Sequence, residues 1–569
     1  MDERPWLKNY DPGVPKHIDF PKVTLNQLLE ETARKYPNQP CAIFKGQVVT
    51  YAEMNALSDR LAAGLAAMGV KRGDPVGIFM PNSPQFVIAF FGILKAGGAV
   101  VATNPLYTPR EIEHQMKDAG CEIMLVMSNF YAKTKEVQSR TRLKTLIVTN
   151  VKEYLPPLLR TLFTLAKEKK EGHRVTLAAG DIWFQDLLAK YKPEDRPKLA
   201  LTHEDLAIFQ YSGGTTGLSK AAVSTHYNLV VNGTQIKAWM PDCREGQETV
   251  LMAIPLFHVY GMVAGMTFAV LAGSSMVMVP NPRDMKDVLH NIDKYHPSIY
   301  PGVPTMYNAI NNHPEVIAGK HDLRSIKACI SGSAPLMRET KERFEKITGG
   351  KLVEGYGLSE APTATHCNPL NSKAPRSGSI GLPLPDVECR IVSLDDGVSD
   401  MKVGEIGELA IRSPNVMKGY HNMPTETTNT LRDGWLFTGD IARMDEDGYF
   451  YIVDRKKELI KPGGYQVWPR EVEEVIMEHP KVLECGVAGI PDAYRGETVK
   501  AWVVLKPGQT MSPDDVRAWC KERLAPFKVP TAVEFRPELP KTTVGKILRR
   551  ELVRQDREKQ PDAGSGPAG

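Results

Sequence analysis

TYAEMNALSDRLAAGLAAMGVKRGDPVGIFM, residues 50–80, sets the pattern for the chain. Thr50 and Glu53 form a capping box ahead of Met54, Leu57, Leu61, Leu65 and Met68, an apolar stripe at helical spacing with Gly69 as its stop. PVGIFM (75–80) then reads as a short buried parallel strand. The pattern recurs on both sides. Thr24 and Gln27 cap a stripe of Leu25, Leu28, Leu29, Ala33 and Tyr36, and AVVAT (99–103), IMLVM (123–127) and TLIVT (145–149) are further buried-strand runs. Strand and helix in alternation predict an α/β domain.

At 569 residues the chain exceeds one compact core, so two or more domains are expected. A net charge of +4, from 71 basic and 67 acidic residues, gives no support to nucleic-acid binding. Eight scattered cysteines without a CxxC pair, behind the polar opening MDERPWLKNY, predict reduced thiols and a cytoplasmic location. No HExxH occurs and no spacing supports a zinc site.

Thr249 to Pro282 carries no acidic residue, lysine or arginine, but Pro255, Gly261, Gly265 and Gly273 cut it into pieces. A strand (TVLMAIP), a loop, a core helix and a second strand (SMVMVP) explain it better than a membrane span. Residues 154–175, YLPPLLRTLFTLAKEKKEGHRV, join an apolar run to a basic one. They read as a surface helix or as a segment resting on the inner face of a membrane. Beyond residue 454 an α+β pattern follows a charge run: helix at PREVEEVIM, strands at ECGVAGI and KAWVVL, and a helix from Ser512-Pro513.

YSGGTTGLSK (211–220) offers glycines at 213, 214 and 217, hydroxyls at Ser212, Thr215, Thr216 and Ser219, and the charge of Lys220. Such a loop suits phosphates, or is an ordinary flexible turn; it lacks the spacing of a Walker A loop. In EGYGLSE (354–360) Tyr356 is suited to stacking on a base, and Glu360 to holding Mg²⁺ or to plain solvation. In TGD (438–440) Asp440 is a ribose acceptor or a turn cap. DRKKELIKPGGYQV and VGKILRREL, read alone, are solvated lysine-rich surface.

In this order and spacing, these five stretches resemble the core motifs of the adenylate-forming superfamily of acyl-CoA synthetases, luciferases and peptide-synthetase adenylation domains. The likeness runs from about residue 20 to 555. GILKAGGAVVATNPLYTPREIEH (92–114) and GSIGLPLP (378–385) look closest to bacterial long-chain fatty acid–CoA ligases. The resemblance implies a large multi-subdomain N-terminal α/β domain (1–456), a small mobile C-terminal α+β domain (457–555) and a disordered tail (556–569). It implies ATP and coenzyme A as co-substrates, Mg²⁺ as cofactor and a fatty acid as substrate, and it allows a homodimer. Aryl- or medium-chain acids, transfer of the acyl group to a carrier protein, and a catalytically dead fatty-acid-binding or membrane-recruitment protein are the alternative readings.

Residue by residue, the resemblance places Ser212, Gly213, Gly214, Thr215, Thr216, Gly217 and Lys220 on the leaving pyrophosphate. Thr215 and Glu360 share the Mg²⁺. Ser331, Gly332, Glu354, Gly355, Tyr356, Gly357 and Ser359 form the adenine slot, and Asp440 and Arg455 hold the ribose. Lys546 stands between the reacting carboxylate and the α-phosphate, assisted by Lys461 and Gln466. Lys457 is the hinge, Gly464 passes the pantetheine arm, and His258 gates the acyl tunnel. Each CH₂ buried in that tunnel is worth about 0.8 kcal/mol.

Overall fold

The computed structural model describes residues 4–212, 219–371, 376–462, 465, 467–492, 494–542 and 545–559. The chain divides into two compact units: Met1–Glu388 with Arg412–Leu436, and Cys389–Ile411 with Phe437–Gly569.

Both capping boxes form as the sequence predicts, on helices Leu25–Lys35 and Tyr51–Ala67. The apolar runs become strands Pro75–Phe79, Ala99–Ala102, Ile123–Met127 and Thr145–Thr149, which pair in parallel at the centre of an eight-stranded sheet. Helix Pro84–Lys95, capped by Ser83, is buried at every residue, which is why its sequence is apolar all round. The far edge of this sheet is antiparallel: Leu206–Ser212 pairs with Lys220–Thr225, and that strand with Gly419–Tyr420. Two four-stranded sheets complete the first unit, and Ile299 bridges one strand of each.

The uncharged stretch resolves into strand Thr249–Met252, a π-helix at Gly261–Thr267, helix Phe268–Ala272 and strand Ser275–Met278, all inside the first unit. A side chain at Gly261 would sit 2.3 Å from the Pro255 carbonyl oxygen, so the tight return of this segment requires glycine. No helix among the described residues is long and apolar enough to cross a membrane. Helix Pro157–Ala166 is a surface element with no buried residue; Leu158, Leu162 and Leu165 are 72%, 52% and 80% exposed.

In the second unit, strands Trp435–Met444 and Phe450–Arg455 form an antiparallel pair, and the short turn Lys456–Glu458 follows. Beyond that turn, helices Pro469–Met477 and Pro513–Lys521 pack on a sheet of Val482–Asp492, Gly496–Leu505 and Ala532–Phe535. Lys457, the expected boundary, lies in the turn that links these two parts. The C-terminal helix Arg549–Lys559 continues four residues into the segment read as a disordered tail. The reason is electrostatic: Asp556 is buried against Lys500, and Lys559 pairs with Glu534 at 2.6 Å. Residues 560–569 lie outside the described residues.

Candidate active site

In the first unit the glycine-rich stretch joins two antiparallel strands, and its ends are in register, Ser212 opposite Lys220. The side chain of Ser212 and all of Gly213, Gly214, Thr215, Thr216 and Gly217 lie outside the described residues. Lys220 closes the loop half-buried, its ammonium 5.4 Å from the centre of the Tyr420 ring and 3.9 Å from Glu426. The Tyr420 hydroxyl donates to Glu360 Oε1 at 2.7 Å. Burial and the Glu360 charge together push this phenol well above its ordinary range, so it remains a donor.

Backbone pairing sets that geometry. Tyr420 lies opposite Ala222 and Gly419 opposite Val223, while the Met417 N–H donates to the Glu360 carbonyl at 2.8 Å. Lys220 and Glu360, 140 positions apart, are thereby joined through one tyrosine that the sequence reading missed. Its local context, KGYHN, has the look of an ordinary turn, and nothing in the spacing points to a partner 60 residues away.

The adenine-slot candidates lie on neighbouring strands. Ala328–Ser331 runs parallel to Lys351–Leu358, placing Ser331 opposite Glu354. Ser331 is fully buried, and among the described residues its hydroxyl has no hydrogen-bond partner. Glu354 is buried and accepts from the Leu336 N–H at 3.4 Å. Tyr356 is half-buried, edge-on to His366 at 5.8 Å. A Cβ at Gly357 would fall 1.5 Å from the Thr363 carbonyl oxygen, so this strand position admits only glycine. Gly355 pairs with Cys367, Gly332 donates its N–H to the Gly302 carbonyl, and Ser359 stands half-buried next to Glu360.

His258 reaches the same neighbourhood through Tyr260. The Tyr260 N–H donates to His258 Nδ1 at 3.2 Å, and the Tyr260 hydroxyl donates to the Ile330 carbonyl at 2.6 Å. Burial pushes His258 down to about 4, so at neutral pH the ring is uncharged with its proton on Nε2. The π-helix behind it presents buried Met262, Val263 and Met266, and π-turns of this kind are frequent at functional sites.

The second unit gathers the other candidates. Asp440 pairs in register with Arg455, whose Nε lies 3.3 Å from Asp440 Oδ1, and Asp440 is 7% exposed. Lys546 sits in a tight loop: its N–H donates to Thr542 Oγ1 at 3.1 Å, and its carbonyl accepts from the Thr542 N–H at 2.8 Å. Burial, and then the Arg455 charge, bring the Lys546 ammonium down to about 8, against the opposing pull of Asp440 and Glu458. Burial works to raise Glu458, but Arg549, Lys546 and Arg455 outweigh it and hold this carboxyl below its usual range. Arg549 is the hub, donating to Asp454 at 3.1 Å, to Glu473 and to Glu458. Lys457 and Lys461 are exposed, and Gly464 and Gln466 lie outside the described residues.

The chemistry follows from these groups. The first unit offers a stacking ring, a buried hydroxyl, a half-buried carboxylate and a lysine at a glycine-rich loop. The second offers a carboxylate–guanidinium pair with a half-buried cation beside it. Nucleotide, phosphate and carboxylate are the ligands such groups suit.

Comparison with known proteins agrees. The model of the AMP-binding enzyme family matches residues 29–421, and that of the AMP-binding enzyme C-terminal domain matches residues 471–546. A long-chain-fatty-acid–CoA ligase of Bacillus subtilis is 44% identical over 560 residues, covering 98% of this chain and 99% of its own. An anthranilate CoA ligase, AuaEII, solved in complex with anthranoyl-AMP, aligns with a TM-score of 0.82 at 26% identity, covering 95% of this chain and 99% of its own. ATP-bound MatB from Rhodopseudomonas palustris aligns at 0.81 and 27%, covering 94% and 100%. This chain belongs to the AMP-binding enzyme family, the adenylate-forming enzymes its motifs resemble.

Proposed function

We propose that this chain is an AMP-forming fatty acid–CoA ligase that prefers long-chain acids. The acid's carboxylate attacks the α-phosphate of ATP and pyrophosphate leaves; the thiol of coenzyme A then displaces AMP from the acyl-adenylate. A free carboxylate is a poor acyl donor, whereas the mixed anhydride carries a good leaving group.

The observation that carries this reading is Lys546, a half-buried cation beside Asp440 and Arg455 in the second unit. Two anions must meet in the first step, and a cation between them removes repulsion and steadies the charge that develops. The match to a long-chain ligase across 98% of this chain supports the acyl class. In this reading Asp440 and Arg455 hold the ribose, Tyr356 and Ser331 take the adenine, and the loop ending at Lys220 holds the departing pyrophosphate. His258 stands at the acyl tunnel, whose wall is the segment around Gly261.

Glu360 fits a Mg²⁺ ligand, with Thr215 as its companion. It is a half-buried carboxylate with one oxygen held by Tyr420, and Mg²⁺ takes one or two protein carboxylates beside substrate phosphates. When bound, the ion would offset phosphate charge. Lys461 and Gln466 assist Lys546. A swing of the C-terminal part at Lys457 then exchanges Lys546 for Gly464, whose lack of a Cβ gives the pantetheine arm passage.

Helix Pro157–Ala166 serves as a membrane-surface contact. Its leucines are solvent-exposed, and the basic residues Lys167, Lys169 and Lys170 follow at once, a pairing suited to an anionic bilayer that holds the acid substrate.

Steady-state assays with acids from acetate to stearate test the proposal. Coenzyme A consumption should equal AMP release and rise with chain length into the long-chain range. AMP release without coenzyme A consumption would favour transfer to a carrier, and a preference for benzoates would favour the aryl reading.

A further inference from the structure

Residues 313–321, HPEVIAGKH, have no part in the nucleotide chemistry, and their spacing matches no metal motif. The fold nevertheless gathers three ligand-bearing side chains from them: one ligand atom from each of His313, Glu315 and His321 lies within 4.8 Å of the other two. A turn produces this. Gly319 adopts φ +68°, and the Lys320 N–H donates to the Glu315 carbonyl at 2.9 Å, so the chain doubles back and returns His321 beside Glu315.

We propose that His313, Glu315 and His321 bind a divalent transition-metal cation of the zinc class. Two observations carry this independently of the clustering. First, Nδ1 of His313 and Nε2 of His321 are cut off from solvent and, among the described residues, have no hydrogen-bond partner. Buried polar atoms left so are costly unless something pairs with them. Second, Nδ1 of His321 lies 2.6 Å from Asp293 Oδ2, and the other oxygen of Asp293 accepts the Asp322 N–H at 3.2 Å. An Nδ1–H that donates to this carboxylate keeps the proton on Nδ1 and leaves the lone pair of Nε2 free. This carboxylate–histidine arrangement orients metal-binding imidazoles.

The spacing agrees with the ion. His321 Nε2 is 3.5 Å from Glu315 Oε2, longer than a good hydrogen bond. With metal–ligand bonds of about 2.0–2.1 Å, neighbouring ligand atoms of a tetrahedral site stand about 3.3 Å apart. Small side-chain rotations of His313 complete the set, and two imidazoles with one carboxylate leave a fourth position for water. The site would tie helix Met285–Tyr295, through Asp293, to the connection between helix Pro304–Asn311 and strand Ala328–Ser331. The competing arrangement is a protonated His321 between Asp293 and Glu315, with Lys320 3.8 Å from Glu315. It leaves His313 unexplained.

Full-length protein dialysed against a chelator and titrated with Zn²⁺ alone decides the matter. Expected are one Zn²⁺ per chain and visible absorption of a four-coordinate nitrogen–oxygen site with Co²⁺ in its place. His321→Gln should weaken binding at least about 100-fold and Asp293→Asn by about 10–100-fold, because the aspartate acts through the histidine. Pyrophosphate release should be unchanged in both. His313→Gln repeats the ligand test should the His321 variant fail to fold. Absence of Zn²⁺ uptake by the unaltered protein would overturn the proposal. So would uptake that the substitutions leave intact.

Discussion

Around Glu360 the first unit positions its groups by backbone: strand pairing holds Tyr420 opposite Ala222, and one phenol reaches the carboxylate. Around Lys546 the second unit works by charge. Lys546, Arg455 and Arg549 are interleaved with Asp440, Asp454, Glu458 and Glu473, and every member shifts or steadies its neighbours. Backbone placement localises the damage a substitution does. A compensated charge cluster spreads it, because removing one member leaves others buried and unpaired.

The largest expected effect therefore lies in the second unit. Arg549→Met strands Asp454, Glu458 and Glu473 together and should cost about 3–5 kcal/mol of stability. Calorimetry should show an early unfolding transition, and a change below 1 kcal/mol would refute the hub. Next comes Lys546→Ala, which should slow adenylation by about 10²–10³-fold while supplied acyl-adenylate is still converted to thioester. Equal loss in both half-reactions would overturn the proposed exchange of Lys546 for Gly464 between them.

The same lysine sets a pH dependence. Its charge is present below about 8 and lost above, so kcat/KM for adenylation should fall along an alkaline limb near pH 8. Lys546→Arg should move that limb upward, because a guanidinium stays charged. A smaller effect is expected in the first unit. Tyr420→Phe leaves the backbone pairing intact and removes one donor to Glu360, raising the Mg²⁺ requirement by about tenfold with little change in melting temperature. The smallest effect on chemistry belongs to the surface helix. Leu158→Ser with Leu162→Ser and Leu165→Ser should leave turnover of short soluble acids within about twofold yet weaken co-sedimentation with anionic vesicles.

The same contrast explains what was legible in the sequence. Elements whose signal is local were readable: the Thr24 and Thr50 capping boxes, the buried strands at 75, 99, 123 and 145, and the broken apolar stretch after Thr249 all form as their residues dictate. Residues whose meaning depends on distant partners were not. Arg549, in KILRREL, reads as one of several solvated cations until the fold sets it against Asp454 and Glu473. Tyr420 reads as a turn aromatic until strand pairing delivers it to Glu360. Asp556 and Lys559 look like the start of a disordered tail, but Lys500 and Glu534 keep that segment helical. The site residues were named through motif resemblance, and a motif carries residue identity over long distances where periodicity cannot.

The central claim is that one nucleotide site forms an acyl-adenylate before any thiol takes part. ATP–pyrophosphate exchange measured with Mg²⁺ and a long-chain fatty acid, in the absence of coenzyme A, tests it most directly. The account predicts exchange that depends on the acid and nearly disappears in Lys546→Ala. Exchange that requires coenzyme A, or that proceeds equally well without any acid, would contradict it.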